Sequence, residues 1–184
     1  MSRKANVSLI ICVRMKRLAI VLSLLAATVA LTAGAQNQTD ARLKRLFPAA
    51  TTFSPKGGDP PHVKAYNGET LLGYAFWTTE ILPLERAYGG PIAILVGMDT
   101  KGILSGIVII EHHEPYGDFS IDPPSFAAHF KGKDVRDPFK LGEDIDAVSR
   151  ATITMSSAVR TIRNSARRIA RSYLTPPAAA SPSR

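Results

Sequence analysis

The sequence predicts an α+β fold, a single domain in which an antiparallel sheet of two hairpins packs with a long C-terminal helix and a short helix. Three observations carry that expectation. Two pairs of apolar and aromatic runs flank turn signals, Asn67-Gly68 in the first pair and Asp99-Thr100-Lys101-Gly102 in the second. One long segment, residues 155–174, repeats apolar side chains at spacings of three and four, the period of a helix with one buried stripe. Removing an N-terminal leader of 35 residues from the 184 leaves a chain of ordinary single-domain length, enough to bury a core.

The leader has the layout of a secretory signal peptide over residues 1–35. Lys16 and Arg17 precede an apolar run from Leu18 to Ala33, and Ala33-Gly34-Ala35 is a small-residue cleavage site before Gln36. Met15-Lys16-Arg17 makes a well-formed signal start by itself, so residues 1–14 read as an upstream extension. The alternative is an uncleaved anchor, for which the run is long enough. Either way the domain is expected to be periplasmic or otherwise exported, and membrane-associated in the second case. Cys12, the single cysteine, falls in this part. An exported chain without it excludes disulfides, thiol catalysis and cysteine-ligated clusters.

Charge is distributed unevenly. The formal net charge of +8 owes five units to Arg3, Lys4, Arg14, Lys16 and Arg17, which no acid in the leader balances. Residues 147–184 hold seven Arg and no Asp or Glu, whereas residues 36–146 hold 11 basic and 15 acidic side chains. These basic residues lack the interleaved aromatics of a stacking platform, so a nucleic-acid partner is not expected.

Residues 36–61 form a lead-in, with a short helical patch at 41–47 and then the breaker-rich Ser54-Pro55-Lys56-Gly57-Gly58-Asp59-Pro60-Pro61. The domain proper runs from 62 to 174. Its first hairpin joins 62–66 to 70–79. After Tyr88-Gly89-Gly90-Pro91 a second hairpin joins 92–98 to 103–111, both strands apolar at nearly every position and therefore expected at the centre of the sheet. Pro123-Pro124 introduces a short helix at 125–130, and 134–143 is an irregular connection. In the last helix Val159, Ile162, Ala166, Ile169 and Tyr173 form the apolar stripe, with Arg160, Arg163, Arg167 and Arg171 on the other side. That row is either a solvated surface or a docking face for acidic partners or anionic headgroups. Thr175-Pro176-Pro177 stops the helix, and residues 175–184 are expected to be disordered.

Two polar constellations stand out. Glu111-His112-His113-Glu114-Pro115-Tyr116-Gly117-Asp118 concentrates metal-ligand residue types, but neighbouring histidines on a continuing strand point to opposite faces, which argues against one shared ion. The second is Asp146-Ala147-Val148-Ser149-Arg150-Ala151-Thr152-Ile153-Thr154, a hydroxyl-rich turn at a helix start. Unpaired N–H groups and the macrodipole make such a start an anion site, and phosphate its natural ligand. The simpler reading is an ordinary helix start capped by Ser149, Thr152 or Thr154.

Read as Asp-x-x-Ser-x-Ala-Thr, this segment resembles the flavinylation motif Asp-x-x-(Ser/Thr)-Gly-Ala-Thr of bacterial FMN-binding domains. These occur in the G component of Rnf electron-transport complexes, the C component of sodium-pumping NADH:quinone reductases, and regulators of nitrous oxide reductase expression. Two further landmarks lie in the family's order. His112-His113-Glu114-Pro115-Tyr116-Gly117-Asp118 is similar to the His-His-Glu-Thr-Pro-Gly-Leu-Gly loop beside the flavin ring, and Phe130-Lys131-Gly132-Lys133 to its Phe-x-Gly-Lys. The variant Glu-His-His-Glu-Pro most resembles the nitrous oxide reductase regulators. The likeness covers residues 46–174.

The resemblance implies FMN carried on Thr152 through a phosphoester, with Asp146, Ser149 and Ala151 forming the turn that a separate flavin transferase recognises. His113, Glu114, Pro115 and Gly117 would line the ring, and Gly90 lies in the glycine-rich approach to the second hairpin. Arg150 stands where most members have Gly. If that Gly serves a positive-φ turn, Arg is strained there; if it only gives clearance, Arg can add a phosphate partner. No catalytic residue is implied. The expected role is electron transfer in a membrane-associated redox chain, with membrane redox proteins as donor or acceptor. The alternative is an exported binding module without flavin, docking through its Arg-rich helix.

Overall fold

Strands form where the apolar runs lie, and they join into one sheet. The computed structural model describes residues 39–174. The leader with Cys12 and its apolar run, and the 175–184 tail, fall outside the described residues. The chain divides into two compact units, residues 1–42 and 43–184. Residues 39–46 are helical (α1), so the described part of the first unit is helix and the second opens on a helical turn. No helix among the described residues is long and apolar enough to cross a membrane.

The sheet of the second unit is an antiparallel meander in the order β1-β2-β3-β4-β5. β1 is Thr52–Phe53, β2 Val63–Asn67, β3 Thr70–Trp77, β4 Ala93–Asp99 and β5 Leu104–Glu111. The two expected hairpins are present, and β3 also pairs with β4, Phe76 opposite Val96. In the first hairpin the two loop residues are Gly68 and Glu69, one position later than expected, and Gly68 takes φ 58 where a type II′ turn needs glycine. After β3 the chain leaves the sheet through a 3-10 turn, Thr78–Glu80. β1 was not expected: a two-residue strand among breakers has no periodicity to detect.

Two cores lie on the two faces. On β4, Ile94, Val96 and Met98 join the larger cluster and Leu95 the smaller, each without measurable exposure. The larger core includes Phe76, Phe126, Phe130 and Phe139 with the buried stripe of the long helix, and the smaller one gathers Leu43, Leu46 and Phe47. β4 is central as expected, but β5 is the edge strand of the sheet. Its run is apolar because both faces are covered: Leu104 and Ile107 sit in the larger core, while Val108 and Ile110 pack against the smaller. Among the described residues only the start of its free edge is paired, where the Leu104 N–H donates to the Lys133 carbonyl and the Gly132 N–H to the Leu104 carbonyl, both at 2.8 Å.

Two short helices follow β5: α2, Gly117–Ser120, and α3, Pro124–Ala128. The last helix, α4, is Thr152–Tyr173, beginning three residues earlier than expected. Met155, Ala158, Val159, Ile162, Ala166 and Ile169 are all buried, so the stripe read from spacing is the packed face. The arginines behind it are less free than a solvated row. Arg160 pairs with Glu85 at 3.2 Å, Arg163 reaches Asn164 at 3.4 Å, and Arg167 donates to the carbonyls of Val135 and Asp137 at 2.9 and 2.8 Å. The Arg171 side chain has no partner among the described residues.

Candidate functional site

The N-terminus of α4 opens on a cleft of about 480 Å³ lined by Tyr88, Pro115, Tyr116 and the run from Arg150 to Thr154. Three chain segments distant in sequence therefore meet there: the Tyr88-Gly89-Gly90 turn, the loop after β5, and the hydroxyl-rich turn. The volume lies within the range of small-ligand pockets, about 300–1,000 Å³.

The helix start is not an ordinary capped one. Ala151 occupies the N-cap position and no side chain caps the helix, so neither Ser149, Thr152 nor Thr154 does what the simpler reading expected. The first bond into the helix is Met155 N–H to the Ala151 carbonyl at 2.9 Å. The N–H groups of Thr152, Ile153 and Thr154 thus have no partner among the described residues, at the positive end of a 22-residue helix.

The two threonines of that first turn differ sharply. Thr152 is exposed and lines the cleft. Thr154 is buried, and its hydroxyl donates to Glu114 Oε2 at 2.5 Å. The same carboxylate accepts from the Gly89 N–H at 2.6 Å and the Tyr88 N–H at 3.3 Å. Glu114 is 7% exposed and faces no cation among the described residues, so three directed hydrogen bonds replace its lost water. Glu114 is expected from sequence to line a ring; the structure makes it the tie between the glycine turn and the helix start, behind the cleft wall.

Close approach of backbone depends on two glycines. A Cβ at Gly89 would lie 2.0 Å from the His113 carbonyl oxygen, and one at Gly117 would lie 2.0 Å from the His112 ring. His112 is held by that contact, by its Nε2 at 2.9 Å from Asp122 Oδ1, and by its Nδ1, which accepts from the Glu114 N–H at 3.2 Å. An accepting Nδ1 places the proton of the neutral ring on Nε2, where it donates to Asp122. His113 is exposed beyond the cleft lining. Gly90 takes φ 121 and its carbonyl accepts from the Ala87 N–H, closing the turn that presents Tyr88.

Arg150 lines the cleft at φ 70, in the left-handed region. The position is therefore one that needs positive φ, the first of the two alternatives for the family's Gly, and Arg stands in it against a steric cost. Ala151 is buried beneath the turn. Asp146 is 91% exposed in its side chain and touches His129 at 3.5 Å; Ser149 is exposed, and neither lines the cleft. The third landmark proves structural: Phe130 is in the core, and Lys133 bonds Asp144 at 2.8 Å. Partial burial raises the Asp144 pKa, but Lys133 and the N–H groups of Lys140 and Phe139 outweigh it and hold the carboxyl below the usual range.

Over residues 87–167, from the glycine turn into the body of α4, the chain matches the FMN-binding domain family. Residues 87–167 carry the FMN-binding domain of this family. FMN is accordingly the cofactor, and the residues present fit it: unpaired helix N–H donors suit a phosphate, and the exposed faces of Tyr88, Tyr116 and Ile153 suit a flat aromatic ring. Among curated relatives, Regulatory protein NosR of Pseudomonas aeruginosa is 29% identical over 124 residues, and its Stutzerimonas stutzeri counterpart 30% identical over the same length. Each alignment covers 62% of this chain and 17% of the relative. The G component of the ion-translocating oxidoreductase complex of Yersinia pestis is 31% identical over 138 residues, covering 70% of this chain and 59% of that protein. The chain thus spans a small part of the regulators and over half of the oxidoreductase component. Within the FMN-binding domain, Tyr88, Tyr116 and Ile153 are wall residues that periodicity did not single out; exposed aromatics beside a glycine turn were the available signal.

Proposed function

We propose that this chain is an exported flavoprotein that carries FMN on Thr152 by a phosphoester bond and transfers electrons within a membrane-associated redox chain. The observation that supports Thr152 as the tether is the contrast in the first turn of α4. Thr152 is exposed at the cleft, whereas Thr154, which also borders it, is buried and its hydroxyl is engaged by Glu114. The free N–H groups of the helix start would hold the phosphate, and the Arg150 guanidinium would add a charge-assisted bond at the cleft edge. Tyr88, Pro115, Tyr116 and Ile153 would flank the ring and exclude water from one side of it. FMN supplies the redox chemistry when bound; the chain binds, orients and tunes it. Asp146 and Ser149, both exposed, would be read by a separate flavin transferase rather than touch the cofactor. Export through the leader puts donor and acceptor among membrane redox proteins, in line with the redox complex from which one relative takes its name.

Co-expression with a flavin transferase followed by a denaturing gel tests this. A phosphoester survives unfolding, so wild type and Thr154→Ala should give a fluorescent band and Thr152→Ala none. Colourless wild-type protein from a host that labels a control domain overturns the covalent reading and favours the binding-module alternative. Label that follows Thr154 instead moves the tether.

A further inference from the structure

Away from the cofactor cleft, α4 borders a second cavity of about 280 Å³ facing the segment that follows the 3-10 turn. Its walls include Arg167, Arg168, Arg171 and Thr161 from the helix and Leu82 and Pro83 from the segment. Among the described residues none of the three guanidinium groups meets a carboxylate. Arg167 is held by two backbone carbonyls, Arg168 donates to the Leu82 carbonyl at 3.0 Å, and Arg171 has no partner among the described residues. The carboxylate in the wall, Glu85, already accepts from Arg160 and Asn164. Glu80 is likewise paired, with Lys56. Thr161 Oγ1 is buried in the cavity wall without a hydrogen-bond partner. Beside these cations two large apolar side chains stand in water: Leu82 is 66% and Leu84 41% exposed.

We propose that this surface docks on anionic phospholipid, with Arg168 and Arg171 taking the headgroup phosphate and Leu82 and Leu84 entering the acyl boundary. The pairing of chemistries selects the occupant. A free phosphate would use the arginines and leave both leucines in water. An anionic lipid surface satisfies both, because it sets negative phosphate directly beside hydrocarbon. The site lies sixteen residues along α4 from Thr152, about 24 Å at 1.5 Å per residue, so docking would fix the distance of the cofactor cleft from the bilayer.

The test uses the full chain in a Cys12→Ser, Leu84→Cys background, with an environment-sensitive dye on position 84. The dye is read rather than total binding, because the apolar run of residues 18–33 is expected to bind vesicles of any composition. Phosphatidylglycerol-containing vesicles should shift the dye to the blue, phosphatidylcholine alone should not, and added salt should reverse the shift. Arg171→Gln, at a side chain with no hydrogen-bond or ion-pair partner among the described residues, should weaken the docking equilibrium about fivefold, and Arg168→Gln with it by more than tenfold. A dye that stays in water with both lipids, or shifts equally with both, overturns the proposal. So does a thermal shift with inorganic phosphate that disappears in Arg171→Gln while the dye remains silent, since the cavity would then take a free anion.

Discussion

Glu114 shows how much one side chain can decide. Its carboxylate receives three hydrogen bonds, so Glu114→Ala takes the acceptor from two part-buried backbone N–H groups and from the buried Thr154 hydroxyl. Loss of bonds to a charged acceptor predicts destabilisation of about 3 kcal/mol, read from the urea midpoint. Glu114→Gln should lose less, because its oxygen can still accept from Gly89 while its amide donates to the Thr154 oxygen; equal losses would refute this account of the clamp. Arg150 is the second deciding residue. Relief of left-handed strain, partly offset by a more flexible unfolded chain, predicts that Arg150→Gly stabilises the fold by up to about 1 kcal/mol. At limiting transferase the variant should label as well as wild type and hold the flavin less tightly. A several-fold gain in labelling would instead mark Arg150 as an obstacle to maturation. Position at this scale was legible where residue type and helix start coincide: Thr152 opens α4 and lines the cleft. It was illegible at Glu114, whose role depends on Gly89 and Thr154, 25 and 40 residues away.

Among the elements, the connection from Lys131 to Asp144 lacks regular structure yet delivers the chain to the start of α4. Its fixed points are Lys133 on Asp144 and Arg167 on the carbonyls of Val135 and Asp137. The Asp144 carboxyl titrates lower in the folded chain than in the unfolded one. Its stabilisation is therefore complete above the unfolded value, about pH 4, and fades as pH falls through the folded value. Urea midpoints measured from pH 6 downward should fall more steeply below about pH 4 in wild type than in Asp144→Asn; parallel curves would remove Asp144 from this role. Helix α4 and the four longer strands were readable because spacing reports burial directly. The edge position of β5 was not, since apolar cover on both faces mimics a central strand. The start of α4 was displaced because Thr152 and Ile153, exposed and β-branched, carry no helical periodicity.

At the level of the whole molecule, a sheet with a core on each face holds the glycine turn, the loop after β5 and the first turn of α4 at one place. The pairing within each of the two hairpins followed from two turn signals, but the convergence of those three segments did not, because it is a property of tertiary packing. Thr152 is the first residue of the longest helix among the described residues, at the lip of the cleft. A cofactor bonded there cannot diffuse away, so the cleft would meet it at an effective concentration on the order of millimolar or more. Affinity that would be useless for a free ligand then suffices. Thr152→Ala protein mixed with micromolar free FMN should accordingly stay colourless after gel filtration, and micromolar retention would show a cleft that binds without help from the bond. On the proposed function, tethering at that lip would release the walls from the need for tight recognition, and a cofactor held by its bond would tolerate Arg150 in the turn where the flavinylation motif has Gly.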